Sequence, residues 1–169
     1  MKTLVVYFSY EGNCSFIAEQ LKGALNADIL QLHLVDDKKR TGLAKYVWGG
    51  RQVMIKETPA LKPYTVAMEQ YDLIILGTPV WAGSPTPAMH AFLEHTKATL
   101  RGKKIALFCC HAGGKGKVFD KLAASLGENT LVGTIDFINP TKQDKQAVIE
   151  KLNGWVKQIQ GCHEHVPLL

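Results

Sequence analysis

Ser9-Tyr10-Glu11-Gly12-Asn13-Cys14 is a six-residue polar turn that brings two hydroxyls, a glycine and an asparagine to the start of a helix. The first amides of a helix have no intrahelical acceptor, and the positive end of the macrodipole lies beside them. A turn of this kind is therefore a ready site for a phosphate. Ser9 and Asn13 are equally ordinary turn and cap residues, so the turn alone leaves both readings open. A second stretch, Gly77-Thr78-Pro79-Val80-Trp81-Ala82-Gly83-Ser84-Pro85-Thr86-Pro87, is stiffened by its prolines and carries Trp81 at its middle. An indole on a rigid loop offers a flat apolar face to a planar ligand; the alternative is that Trp81 folds back onto the core. A third stretch, His111-Ala112-Gly113-Gly114-Lys115-Gly116, has few side chains. It permits close backbone approach to a ligand or forms a plain turn.

These stretches need elements to hold them. Val5, Val6, Tyr7 and Phe8 are a continuous β-branched and aromatic run, as expected of a strand buried on both faces of a parallel sheet. Phe16, Ile17, Leu21 and Leu25 follow at helical spacing. Further strands are expected at Asp28–Leu34, Tyr71–Leu76, Lys104–Cys110 and Leu131–Phe137, with helices at Pro87–Thr96, Val118–Leu126 and Asp144–Ile159. Residues 36–66 are an irregular insertion or connection, with a helix expected around 43–49 and extended chain to about 65. Residues 161–169 read as a mobile tail. The alternation predicts an α/β fold, a three-layer sandwich with a five-stranded, mostly parallel sheet, and a single domain over residues 1–169. The three polar stretches then follow the first, third and fourth strands and meet at the carboxyl edge of the sheet, where open parallel sheets bind ligands.

The composition is that of an ordinary soluble protein, with 46% hydrophobic and 21% charged residues in 169. No apolar stretch reaches the roughly 18 residues of a membrane span, and the start lacks the pattern of a signal peptide. Cys14, Cys109, Cys110 and Cys162 show no zinc or C-x-x-C spacing, so reduced thiols in the cytoplasm are expected. Cys162-His163-Glu164-His165 has metal-capable side chains, but in so short a terminal segment no metal site is expected. The net charge of +5 is spread along the chain without an arginine-rich helix. It reads as a solvated basic surface able to steer anionic partners, and not as a nucleic-acid site.

Together the three stretches resemble the flavodoxin family over essentially the whole chain. Val5, Val6, Tyr7, Ser9, Gly12, Ala18 and Leu21 match its amino-terminal signature, and Gly77 to Pro85 resembles its flavin-ring loop. The resemblance implies strand order 2-1-3-4-5 and bound flavin mononucleotide (FMN). Ser9, Tyr10, Glu11, Gly12, Asn13, Cys14 and Ser15 would surround the phosphate, and Pro79, Val80, Trp81, Ala82 and Gly83 the isoalloxazine. His111, Ala112, Gly113 and Gly114 would lie against its pyrimidine side. Two departures stand out. Cys14 occupies a position where the family usually has Thr, and the chain is basic where electron-carrier flavodoxins are acidic. A thiol at a helix amino terminus is expected to have a lowered pKa and to be open to oxidation, or else simply to pack.

With FMN carrying the chemistry, no separate catalytic residues are expected. Glu11 reads as a turn residue and His111 as a polar loop residue, although His111 could assist proton delivery. The expected function is electron transfer between partner redox proteins. The alternative is an FMN-dependent reductase taking hydride from a nicotinamide and reducing a quinone-type acceptor. A flavin-free binding domain is a third reading. The chain is expected to act as a monomer or homodimer.

Overall fold

The computed structural model describes residues 1–35 and 58–161. The helix expected at 43–49, with Tyr46 and Trp48, and the Cys162–His165 group lie outside the described residues.

Five parallel strands form one sheet in the order β2-β1-β3-β4-β5, as the sequence implied: β1 Thr3–Tyr7, β2 Asp28–Gln31, β3 Leu73–Pro79, β4 Lys104–His111 and β5 Thr130–Ile138. Among the described residues four α-helices cover it: α1 Asn13–Leu25, α2 Pro87–Thr96, α3 Val118–Ala124 and α4 Lys145–Gly161. Strand side chains alternate between two apolar cores. Leu4, Val6, Ile74, Leu76, Ile105, Leu107 and Cys109 pack under α2 and α3. Val5, Tyr7, Leu73, Ile75, Ala106, Phe108 and Cys110 pack under α1 and α4. Apolar burial on both faces is why the central strands read as unbroken hydrophobic runs.

Boundaries move where a partner strand starts or stops. β2 ends at Gln31 rather than Leu34, because its neighbour β1 ends at Tyr7. Leu34 instead bridges antiparallel to Leu61, tying the extended segment after residue 57 to the sheet. β3 runs on through Gly77–Pro79 because β4 continues alongside it as far as Cys110. β4 in turn reaches His111, which pairs with Ile138 of a longer β5. α3 stops at Ala124 rather than Leu126, its last amides tightening to bonds from Ser125 to Leu122 and from Leu126 to Ala123.

Candidate functional site

At the carboxyl edge of the sheet a cavity of about 320 Å³ opens between the loops after β1, β3, β4 and β5. That size falls within the usual range for a small-molecule site, roughly 300–1,000 Å³. Its wall contains Ser9, Tyr10, Glu11, Asn13 and Cys14 from the first loop and Pro79, Val80, Trp81 and Ala82 from the second. His111 and Ala112 follow from the third. Gly12, Ser15, Gly83, Gly113 and Gly114 are not part of this wall.

The first loop ends in Gly12, which precedes α1 with φ +88, a left-handed conformation that side chains resist. The N-cap Gly12 has no side chain to cap α1, and of the first-turn amides that of Ser15 donates to the Ser9 hydroxyl at 3.2 Å. The amides of Asn13 and Cys14 therefore have no intrahelical acceptor at the positive end of the helix. The Asn13 side chain is partly committed elsewhere: its Oδ1 accepts from the Thr141 hydroxyl at 2.8 Å and the Thr141 amide at 3.3 Å. Cys14 corrects the expectation of an activated thiol. It is fully buried against Cys110, and burial first, then its hydrogen bond with Cys110, pushes its pKa well above the ordinary thiol value. Desolvation outweighs the helix dipole here.

The second loop is a tight turn. Trp81 and Ser84 exchange backbone hydrogen bonds of 2.9 Å, with Ala82 at φ +48 and Gly83 at φ +67 between them. Two consecutive positive φ angles are the mark of a primed turn. Trp81 stands half-buried, edge-on to Phe8 at 6.1 Å and to Tyr10 at 5.8 Å. It both faces the cavity and leans on the core, so the two expectations for it meet in one geometry. The turn is clamped to the third loop. The Lys117 amide donates to the Gly83 carbonyl at 3.1 Å, and Lys121 Nζ donates to the Ser84 hydroxyl. A Cβ on Gly116 would stand 2.6 Å from the Gly83 Cα.

His111 corrects a second expectation. It is the last residue of β4 and not a loop residue, and its side chain is only 6% exposed. Its Nε2 lies 3.1 Å from Asp136 Oδ2 on β5, and its Nδ1 is buried without a hydrogen-bond partner. Asp136 also accepts from Lys115 Nζ at 3.1 Å. Burial works against ionisation of Asp136, but the His111 and Lys115 hydrogen bonds and the charges of Lys115 and Lys151 outweigh it. Its pKa is held below the ordinary carboxylate value.

Two wall residues, Cys110 and Asn139, escaped the sequence reading. Strand alternation carried a signal for Cys110, which shares a face with Ala106 and Phe108 and so points toward α1. The Asn139-Pro140 pair carried a turn signal, and Asn139 does take a left-handed φ of +38 after β5. Among the described residues no cluster of metal-capable side chains occurs, and no helix is long and apolar enough to cross a membrane.

The chain belongs to a family described as NADPH-dependent FMN reductase, whose model matches residues 1–127. Membership makes it an FMN-binding, flavodoxin-like redox protein. The fold is similar to that of a flavoprotein from Lactobacillus acidophilus NCFM, solved in complex with FMN. Identity is 21%, coverage 86% of this chain and 98% of that one, and the TM-score 0.70. A flavoprotein from Bacteroides eggerthii is 23% identical over 92% of this chain and 98% of its own, with TM-score 0.71. The two-electron reduced flavodoxin of Megasphaera elsdenii is 18% identical over 94% and 98%, with TM-score 0.59. A search of curated protein sequences finds no match.

Proposed function

We propose that the cavity holds FMN and that the loaded protein is an oxidoreductase reduced by a nicotinamide dinucleotide, passing its electrons to a quinone-type acceptor. One observation carries this reading. The start of α1, at Asn13 and Cys14, borders the same cavity as the half-buried indole of Trp81. A phosphate suits the first and a flat aromatic ring the second. The residues present fit FMN in that orientation. The amides of Asn13 and Cys14 and the hydroxyl of Ser9 would hold the phosphate. Pro79, Val80, Trp81 and Ala82 would border the ring, with His111 and Ala112 at its pyrimidine side, while Ser15 and Gly83 support the two turns from outside the wall. Cys14 contributes through its amide, since its thiol is turned into the core. Tyr10, Glu11 and Gly12 shape the turn, and Gly113 and Gly114 let the third loop pass without side chains. When bound, FMN supplies the hydride-accepting and electron-donating chemistry, and the chain's task is to bind, orient and shield it.

The family's description supports a nicotinamide as electron source. The net charge of +5 favours a second reading, one-electron transfer with an acidic redox protein as partner. We further propose that the protein acts in the cytoplasm, where Cys14, Cys109 and Cys110 stay reduced, as a monomer or homodimer.

Anaerobic titration of the FMN-loaded protein with NADPH and NADH tests the proposal. Rapid loss of the oxidised flavin band supports the reductase. No loss with either nucleotide, but ready reduction by dithionite and reoxidation by an acidic redox protein, would establish the carrier instead. Failure to retain FMN would defeat both.

A further inference from the structure

His111 of the cavity wall is paired with Asp136 of β5, a titratable pair that flavin binding by itself does not require. Asp136, kept ionised by Lys115 and by the hydrogen bond from His111, accepts at Nε2 and so fixes the proton of the neutral imidazole on that nitrogen. The remaining ring nitrogen, Nδ1, is then a bare base. It is sealed from solvent and has no hydrogen-bond partner. A buried polar atom left unpaired is unfavourable, and in a native site it calls for an explanation. Protonation of Nδ1 gives an imidazolium beside a carboxylate, the arrangement by which a buried acid stabilises a charged histidine without itself taking the proton.

We propose that His111 is the redox-linked proton site of this protein: its ring takes up one proton when the cavity gains negative charge and releases it when that charge leaves. Asp136 is the positioning residue. The inference rests on FMN occupying the cavity. A nicotinamide hydride delivers two electrons and one proton, so the flavin ring system needs one further proton from water to stay neutral. His111 carries that proton in the wall of the same cavity.

The surrounding charges leave the decision to the cavity. Asp136 on β5 and Glu11 on the first loop favour uptake. Lys115 on the third loop and Lys151 on α4, which donates to the Asp136 carbonyl at 2.6 Å, oppose it. The Cys109 thiol beside it stays protonated, its pKa pushed up to about 12 by burial and by the nearby Asp136. Cys110 and the buried Cys14 complete the neighbourhood from β4 and α1.

The test uses the FMN-loaded protein, with FMN binding first established by quenching of its fluorescence. Imidazole nitrogen resonances are assigned to His111 through backbone-to-ring correlations and titrated in the oxidised and dithionite-reduced states. The expected result is that the His111 ring-nitrogen resonances pass to the protonated form at higher pH in the reduced protein than in the oxidised one. The flavin midpoint potential should change slope with pH between the two midpoints. His111→Gln should abolish that change of slope, and Asp136→Asn should move it to lower pH. Identical His111 titration in both states overturns the proposal, even if neither variant folds. Unquenched FMN fluorescence would overturn the cofactor reading beneath it and is seen before any titration begins.

Discussion

Gly116→Ala should separate the clamp between the second and third loops from mere loop flexibility. Gly116 has φ +52, where an added Cβ costs about 1–2 kcal/mol. That Cβ would also stand 2.6 Å from the Gly83 Cα, closer than carbon atoms approach without backbone movement. Separating the two loops would weaken the 3.1 Å bond from the Lys117 amide to the Gly83 carbonyl, worth about 1 kcal/mol. The sum is about 3 kcal/mol with relaxation of the clash included. For a domain of this size it lowers the melting temperature by about 6–12 °C.

The comparison that gives this number meaning is Gly114→Ala, two residues away. Gly114 lies outside the left-handed region, and a Cβ there meets nothing within 4 Å. Alanine at Gly114 should be neutral or stabilising by up to about 1 kcal/mol through the unfolded chain. Thermal unfolding followed by circular dichroism gives the stabilities, and fluorescence quenching gives FMN affinity. If about half of the penalty falls on the turn that holds Trp81, affinity drops about tenfold in Gly116→Ala and is unchanged in Gly114→Ala. Melting temperatures for the two variants within about 1 °C of each other would show that the Gly83–Gly116 contact does not organise the cavity.

Ala82→Gly should act in the opposite sense. Relief of the positive φ at Ala82 exceeds the added entropy of glycine, so the variant should gain about 0.5–1 kcal/mol in urea unfolding; a loss of stability would mean that the Ala82 methyl packs against something important. Cys14, Cys109 and Cys110 are all buried, with the thiols of Cys14 and Cys109 pushed up by burial. Iodoacetamide at pH 8 should label these three only as fast as the protein unfolds, and peptide mapping that finds rapid labelling of Cys14 would contradict its burial. Asp136 has a depressed folded-state pKa, so its contribution to stability is present above the ordinary carboxylate value and disappears as pH falls through the folded value. Stability of Asp136→Asn should therefore fall less steeply than that of the parent below about pH 4; parallel curves would remove the linkage.

Much of this architecture was legible because the relevant signals are local. Val5 to Phe8 and Leu73 to Leu76 announce strands by composition, and Pro87 marks the start of α2. The cavity loops were legible for the same reason, since Gly12 and Trp81 sit in turns whose residue types are unusual. What was not legible depends on partners distant in sequence. His111 is a strand residue because β5 extends to Ile138, its register partner, and its ring reaches back to Asp136, two residues earlier on β5. Cys14 carries the sequence signature of an activated thiol, yet its environment is set by Cys110, nearly a hundred residues away. Asn139 is held at the wall by the hydrogen bond that its backbone amide donates to the His111 carbonyl, a contact no local pattern encodes.

These long-range contacts converge on the end of β4. The Val80 amide donates to the Cys110 carbonyl at 2.9 Å, which sets the start of the Trp81 turn. The Asn139 amide donates to the His111 carbonyl at the same distance, which sets the loop after β5. Cys14 packs on Cys110 and thereby fixes the first turn of α1 against the same strand end. Two consecutive residues thus register three of the four loops around the cavity, and the fourth is their own continuation. A side chain that gains or loses a proton at this point changes the charge of the site without moving the backbone that shapes it. That combination, a rigid frame with the buried His111 at its strand end, would keep the binding geometry constant whatever charge the cavity holds.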